Sequence, residues 1–413
     1  MDVPSLGEGR FPSGLSHTIS DDVRIPEHIE IGAEPGLQFE LAGPRAKLYF
    51  DAGKTRAGIV TCGGLCPGLN NVIRSLFLQL HYGYGVGDVI GFRGGYCGLD
   101  PDCGVEPVKI TPEFVEGIHQ KGGTILGSSR GPVDFVRAVD NLIARKVNIL
   151  FTLGGDGTQR GANDLYQEAR KRGYALSVVG VPKTIDNDVA FVSRTFGFIS
   201  AIDEAARVLD FAHTEARSVA GGIGLVKLMG RHAGFITVGA TIASQDVNFA
   251  LVPEVPFKLD VFLAALKERI LTKSHAVIAI AEGAGQDLLG AEESERDASG
   301  NLKLKDVGRF FRAQIEAYFK AEGIPVAVRY FDPSYQIRSR PANCEDAVLC
   351  DLFARHAVHA AMAGKTGVVI GFLHERFIHV PIELLAGRTK RLDPAEGWWR
   401  SVLATTGQPE HFS

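Results

Sequence analysis

The chain has 413 residues, more than a single hydrophobic core ordinarily serves, so two or more domains are expected. Hydrophobic residues make up 45% and charged residues 22%, and the formal net charge of -4 lacks the basic excess of a nucleic-acid or membrane-surface binder. No apolar run is long enough to span a bilayer, and six cysteines in a chain of this length argue against a disulfide scaffold, so a reduced, cytoplasmic setting is the default expectation.

Residues 1–55 are polar and rich in Gly, Pro and Ser, without an apolar signal core, and read as an extension. The core begins near Arg56 with a short apolar strand, Ala57 to Val60, then a Gly-rich turn and an amphipathic helix over about 71–80. That turn, Thr61-Cys62-Gly63-Gly64-Leu65-Cys66-Pro67-Gly68-Leu69-Asn70, can bring backbone N–H groups close to phosphate, and the following helix N-terminus adds a favourable dipole. It is equally readable as a tight structural turn. It is not a P-loop, because no Lys-Ser or Lys-Thr follows. Cys62 and Cys66 have half the spacing of a zinc site but no second half nearby, and packing is the preferred reading.

Val147 to Leu153 reads as a buried strand, followed by Gly154-Gly155-Asp156-Gly157-Thr158 and a helix over about 160–171. Glycines, a carboxylate and a hydroxyl at a strand end suit nucleotide phosphates with their metal. The competing reading is a turn whose aspartate caps the helix. The strand Ser177 to Val181 leads into Pro182-Lys183-Thr184-Ile185-Asp186-Asn187-Asp188. Two carboxylates and a hydroxyl beside a lysine fit transfer of a phosphoryl group to an alcohol, which needs a base at the acceptor and cations at the phosphoryl group.

Further on lie Lys227-Leu228-Met229-Gly230-Arg231-His232-Ala233-Gly234, the strand Ala276 to Ala281 ending at Glu282, and Arg329-Tyr330-Phe331-Asp332-Pro333-Ser334-Tyr335-Gln336-Ile337-Arg338. Arginines make paired bonds to phosphate oxygens, although a lone arginine is more often solvated. The stretch 285–305 is charged and reads as a solvated loop, and a short helix bearing Trp398 and Trp399 is expected after Asp393. His374-Glu375-Arg376-Phe377-Ile378-His379 misses the two-histidine zinc spacing and reads as strand. Strands alternating with helices imply parallel sheets, and the motifs fall at strand C-terminal ends, where such sheets bind ligands.

Taken in order, these strings resemble the phosphofructokinase family over about residues 56–371, with the 182–188 string and Met229-Gly230-Arg231 the most specific. The extension and the 332–339 string look most like its ATP-dependent branch of plants and kinetoplastids, close to the pyrophosphate-dependent enzymes. The resemblance implies an α/β fold of two Rossmann-like parallel-sheet domains with the active site in the cleft between them. Its expected limits are an extension over 1–55, a nucleotide-binding domain over 56–180, a sugar-phosphate domain over 181–375 and a C-terminal segment over 376–413. It implies a glycolytic kinase that transfers phosphoryl from ATP, with Mg²⁺, to the C1 hydroxyl of fructose 6-phosphate, and a homo-oligomer, dimeric or tetrameric, of an often allosteric kind.

Carried over residue by residue, Asp186 is the base, Thr184 lies beside the transferring phosphoryl, and Asp188 joins the metal and proton network. Asp156 binds Mg²⁺; Gly63, Gly64, Arg130, Gly131, Gly155, Gly157 and Thr158 line the nucleotide. Thr184, Ile185, Asp186, Met229, Gly230, Arg231 and Glu282 contact the sugar, with Arg231 also stabilising transition-state charge. Arg329, Tyr335 and Arg338 hold the 6-phosphate, and Gln336 and Ile337 also bind the substrate. Gly157 leaves room for the α-phosphate of ATP, where pyrophosphate users carry aspartate; Lys183 is shared with those users. A pyrophosphate-dependent enzyme and a nucleotide-sensing subunit without catalysis are the alternatives; the intact Asp156 and Asp186 argue against the latter. Arg217 is given no role.

Overall fold

A computed structural model of the chain describes residues 3–13, 15, 28–30, 38–129, 131–290 and 304–412. Arg130 and the acidic part of the 285–305 stretch lie outside the described residues. The chain forms two compact units: unit 1 is Met1–Thr184, Val189–Gly197 and Ser339–Thr389, and unit 2 is Ile185–Asp188, Phe198–Arg338 and Lys390–Ser413.

Unit 1 is built on a sheet of nine described strands, in the order His28–Glu30, Gln38–Leu41, Arg376–Pro381, Val368–Leu373, Ser177–Pro182, Ile149–Gly154, Arg56–Thr61, Asp88–Phe92 and Val108–Lys109. The five strands from Val368–Leu373 to Asp88–Phe92 are parallel, and the strands flanking them are antiparallel. Every residue of Ile149–Gly154 and Ser177–Pro182 is buried, which is why these segments read as unbroken apolar runs. Helices Phe135–Ala144 and Asp156–Lys171 pack together, and their Ala138, Leu142, Ala162 and Leu165 share one core with Val60, Leu150 and Val178. Helices Leu69–Leu78 and Cys344–Met362 form a second packed pair.

Unit 2 holds a four-stranded, fully parallel sheet in the order Phe249–Leu251, His275–Ala281, Gly222–Leu228, Ala327–Phe331. Phe262, Leu266, Phe311, Ile315 and Phe319 pack on Ile223, Leu225, Ile278 and Ile280 to make its core. The expected terminal helix is present at Gly397–Thr406. No helix among the described residues is long and apolar enough to cross a membrane.

The larger sheet combines the expected parallel strands with antiparallel strands at both of its edges. The extension contributes Gln38–Leu41 to that sheet. The boundary expected at 375/376 falls in the turn of the hairpin Val368–Leu373/Arg376–Pro381, where His374 and Glu375 both have positive φ, 47° and 60°. That pair of left-handed residues matches the twist of a two-residue hairpin turn.

A buried polar cluster lies where this hairpin meets the helix Cys344–Met362. His359 Nδ1 is 2.6 Å from the Tyr84 hydroxyl, and the His356 ring stacks on Phe377 at 4.3 Å. Burial pushes His356 down to about 3, with His359, His379 and Arg45 adding to the effect, and His359 down to about 4, with Arg355 and Arg45 adding to it. Both rings are therefore neutral in the folded chain and take up a proton on unfolding below about pH 6.5. Stability is complete above that pH and falls as pH drops toward 4, by about 1.4 kcal/mol per pH unit for each histidine. Unfolding midpoints in denaturant between pH 7.5 and 5 should fall for the wild type and fall less for His356→Phe.

Candidate functional site

In unit 1 the strand Arg56–Thr61 runs into the first Gly-rich turn, and the helix Leu69–Leu78 starts at Gly68. Gly63 has φ of +81°, a conformation that favours glycine, and a Cβ there would sit 3.4 Å from Lys183 Nζ. The turn is pinned from two sides. Ser128 Oγ donates to the Gly63 carbonyl at 2.6 Å, and Lys183 Nζ donates to the Gly64 carbonyl at 2.7 Å. Lys183 is only 6% exposed. A buried ammonium requires partners, so its position is set by this turn and the neighbouring strand, to which its own N–H donates at Gly154 O, 3.1 Å.

The helix Asp156–Lys171 begins about four residues earlier than expected, at the carboxylate itself. Its N-cap, Gly155, supplies no side-chain cap, so the N–H groups that open the helix are available to an anion or water, while that of Thr158 donates to the Gly155 carbonyl at 2.9 Å. Gly154 tolerates no side chain, because a Cβ would lie 2.1 Å from Thr158 Oγ1. Thr158 is buried and its carbonyl accepts from the Tyr96 hydroxyl at 2.6 Å. Asp156 is 58% exposed and pairs with Arg160 at 3.5 Å. A Cβ on Gly157 would meet only Arg160 Nη2, at 3.9 Å. Gly131 has φ of +132° and open space beside it. Arg130 is outside the described residues, so the geometry bears on the remaining donor-side candidates only.

Tyr96 is a contact that sequence reading missed. It sits in the turn Gly95–Leu99, which is bonded to the next turn by a disulfide between Cys97 and Cys103, residues six apart. The two short turns fold back on each other and bring the Cα atoms within 5.8 Å. Cys62 and Cys66 are buried in unit 1 outside any disulfide, and burial raises the Cys62 thiol to about 12.

The 182–188 string divides between the units: Thr184 belongs to unit 1, and Ile185 to Asp188 belong to unit 2. The Thr184 carbonyl accepts from Thr195 Oγ1 at 2.8 Å. Ile185 and Asn187 are buried, Asp186 Oδ1 is shielded from solvent, and Asn187 has φ of +54°. Asparagine adopts this left-handed conformation more readily than most residues, which explains the Asp-Asn-Asp order: the turn reverses at Asn187 and sets the two carboxylates on either side of it.

In unit 2 the strands Gly222–Leu228 and His275–Ala281 are adjacent, with Leu228 beside Ala281, so Met229-Gly230-Arg231 and Glu282 leave the sheet together at its C-terminal edge. The Glu282 N–H donates to the Leu228 carbonyl at 2.8 Å, and Gly283 N–H to Gly230 O at 3.3 Å. Gly230 has φ of +130°, and a Cβ there would press on the Ala233 carbonyl at 2.6 Å. Burial raises the Glu282 carboxyl, while the charges of Arg231, Lys227 and Arg338 draw it back down. Lys227, not singled out in the sequence, pairs with Asp332 at 2.7 Å. The signal for it was its place at the end of a strand, next to the glycine hinge.

The 6-phosphate candidates do not all gather at this edge. Arg338 is near enough to Glu282 to affect its ionisation, and its guanidinium lies 4.8 Å from the Tyr335 ring. Tyr335 is 75% exposed and Gln336 is exposed. Ile337 is fully buried, which corrects its assignment as a contact residue: on the short helix Ser334–Ser339 it is the position that faces the core. Arg329 lies mid-strand opposite Gly224, short of the sheet edge, and pairs with Glu215 at 3.9 Å.

A family profile described as Phosphofructokinase matches residues 56–361. A protein named ATP-dependent 6-phosphofructokinase from Amycolatopsis methanolica is 45% identical over 437 aligned residues, covering 99% of this chain and 95% of that one. A protein of the same name from Trypanosoma cruzi is 46% identical, covering 96% of this chain and 82% of its own. Among solved structures, a pyrophosphate-dependent phosphofructokinase from Marinobacter aquaeolei superposes with a TM-score of 0.71 at 20% identity, over 85% of this chain and 91% of that one. That last likeness is one of fold.

Proposed function

The chain belongs to the phosphofructokinase family, and from that premise we propose that it transfers the γ-phosphoryl group of ATP to the C1 hydroxyl of fructose 6-phosphate. The observation that carries this reading is the pairing of Met229-Gly230-Arg231 with Glu282 at one sheet edge in unit 2, together with the uncapped helix at Asp156 in unit 1. Unit 1 takes the nucleotide. Backbone N–H groups at Gly155 and Gly157 and the turn at Gly63 and Gly64 meet phosphate oxygens. Lys183, anchored on Gly64, holds that turn in shape and adds positive charge beside it.

Unit 2 takes the sugar phosphate. Arg231 meets developing negative charge, where a guanidinium in a water-poor site is worth far more than in bulk water. Glu282 is suited to hold sugar hydroxyls, because its carboxyl leaves the sheet edge beside Met229-Gly230-Arg231. Arg338 meets the 6-phosphate. Asp186 removes the proton from the attacking hydroxyl, and the left-handed Asn187 holds it in place.

Asp156 is exposed at the start of its helix, and a single carboxylate completed by phosphate oxygens and water is the usual protein contribution to a Mg²⁺ site. The residues therefore fit the ion, which when bound neutralises charge on the phosphates. A homo-oligomer is proposed with the same family premise.

The donor decides between this reading and its pyrophosphate-dependent alternative. With fructose 6-phosphate and Mg²⁺ supplied, the purified protein should form the bisphosphate with ATP and not with pyrophosphate. Turnover with pyrophosphate alone would show that Lys183 outweighs Gly157. Absence of turnover with either donor would favour a nucleotide-sensing role.

A further inference from the structure

Behind the sheet edge of unit 2, three residues near the C-terminus are tied to both candidate catalytic loops. The Lys390 N–H donates to the Asp188 carbonyl at 2.8 Å, at the end of the Asp186–Asp188 turn. Two residues on, the Leu392 N–H donates to Glu254 Oε1 at 3.0 Å. The same carboxylate accepts the Gly234 N–H, at 3.0 Å to Oε1 and 3.1 Å to Oε2. Gly234 closes the Met229–Gly234 loop and is the N-cap of the helix Phe235–Ser244. The Lys390 ammonium lies 5.2 Å from the ring centroid of Phe235, the first residue of that helix.

The arrangement leaves little slack. A Cβ on Gly234 would lie 2.5 Å from Val252 Cγ1 and 3.0 Å from Glu254 Oε2, so the carboxylate rests against the backbone it accepts from. Burial raises the Glu254 carboxyl, while the N–H groups of Gly234 and Leu392 and the charge of Arg391 oppose the rise. Burial likewise draws Lys390 down to about 8, with Asp188 opposing. Two half-buried ionisable side chains thus sit at the two ends of one three-residue strap. Neither belongs to the strings that carry the family resemblance.

We propose that Glu254 and Lys390 are positioning residues for phosphoryl transfer: through the strap 390–392 they hold the turn bearing Asp186 in register with the loop bearing Arg231. The proposal rests on the roles given above to those two residues. Both loops follow strand ends and have glycine or left-handed residues at their bends, so neither is rigid by itself. A misplacement of about 1 Å between a base and a charge-stabilising group costs on the order of a hundredfold in rate. A fixed strap removes that freedom.

The test compares Glu254→Ala, Glu254→Gln, Lys390→Met and Arg231→Ala with the wild type, in steady-state kinetics for both substrates and in thermal unfolding. Glu254→Ala should lower kcat and raise KM for fructose 6-phosphate, each about tenfold, and leave KM for ATP within about twofold. Glu254→Gln keeps an acceptor oxygen for the two N–H groups and should recover most of the loss. Lys390→Met should move the same parameters in the same direction. If Arg231→Ala is impaired while Glu254→Ala and Lys390→Met behave as wild type, the strap proposal is wrong. It is equally wrong if Glu254→Gln is as impaired as alanine, or if both KM values rise together in step with a lowered Tm. If Arg231→Ala itself retains full activity, the site reading fails instead. Should Glu254→Ala not fold, Glu254→Gln and Lys390→Met decide the matter by the same criteria.

Discussion

Replacing Asp186 with alanine should reduce kcat by about a thousandfold while leaving the dissociation constant for ATP unchanged. A positioned general base is worth roughly 10² to 10⁴ in rate. Asp186 belongs to unit 2, and the described residues proposed to line the nucleotide belong to unit 1. Its Oδ1 is shielded from solvent, and the turn it occupies is set by Asn187 in the left-handed conformation. Asp186→Asn preserves the shape of the turn and removes the base, so it should be as inactive as alanine. Single-turnover measurements at saturating substrates, with nucleotide binding followed by calorimetry, separate the two quantities. Turnover within about threefold of wild type in both variants would remove Asp186 from the mechanism.

Gly157→Asp should lower kcat/KM for ATP by about a hundredfold or more without unfolding the protein. The position accepts a side chain: the nearest atom to a new Cβ is Arg160 Nη2 at 3.9 Å, the end of a flexible chain. The residue is also in the first turn of the helix Asp156–Lys171, where a carboxylate is favourable to the helix dipole. The substitution therefore tests charge and space at the donor site and not folding. A carboxylate about 4 Å from a phosphate oxygen is repelled by up to about 4 kcal/mol at an effective dielectric of 20. Steady-state kinetics with ATP, alongside a Tm within a degree or two of wild type, would bear this out. An unchanged kcat/KM would show that the α-phosphate does not pass near residue 157.

The readable part of this protein was the part governed by local rules. Apolar runs closed by a glycine, a proline or a glutamate located the strands Ile149–Gly154, Ser177–Pro182 and His275–Ala281. The loops after them carried the candidate donor and acceptor residues, because ligand-contacting groups in parallel sheets gather at strand C-terminal ends. What could not be read depends on partners distant in the sequence. The mixed edges of the larger sheet come from pairings such as Leu41 with Ile378, which no local pattern encodes. The resemblance placed Ile337 among the substrate contacts, yet the short helix Ser334–Ser339 turns it inward. Lys227, Glu254 and Lys390 have ordinary local surroundings in the sequence, and only tertiary contacts give them significance. The Cys97–Cys103 bond was missed because composition speaks to scaffolds and not to a single short clip.

The hairpin Val368–Leu373/Arg376–Pro381 has a consequence for how the protein is made. Its first strand pairs in parallel with Ser177–Pro182, near the middle of the larger sheet. A ribosome reaches residue 368 only after adding nearly two hundred further residues beyond that partner, which at typical elongation rates takes on the order of 10 to 40 seconds. Throughout that interval one side of a fully buried, apolar strand has no neighbour to pair with. The nascent chain must carry an open sheet edge while the whole segment Phe198–Arg338 emerges and folds. Chains truncated before residue 368 should therefore aggregate during synthesis, whereas loss of the residues after Thr389, which belong to unit 2, should be tolerated by unit 1.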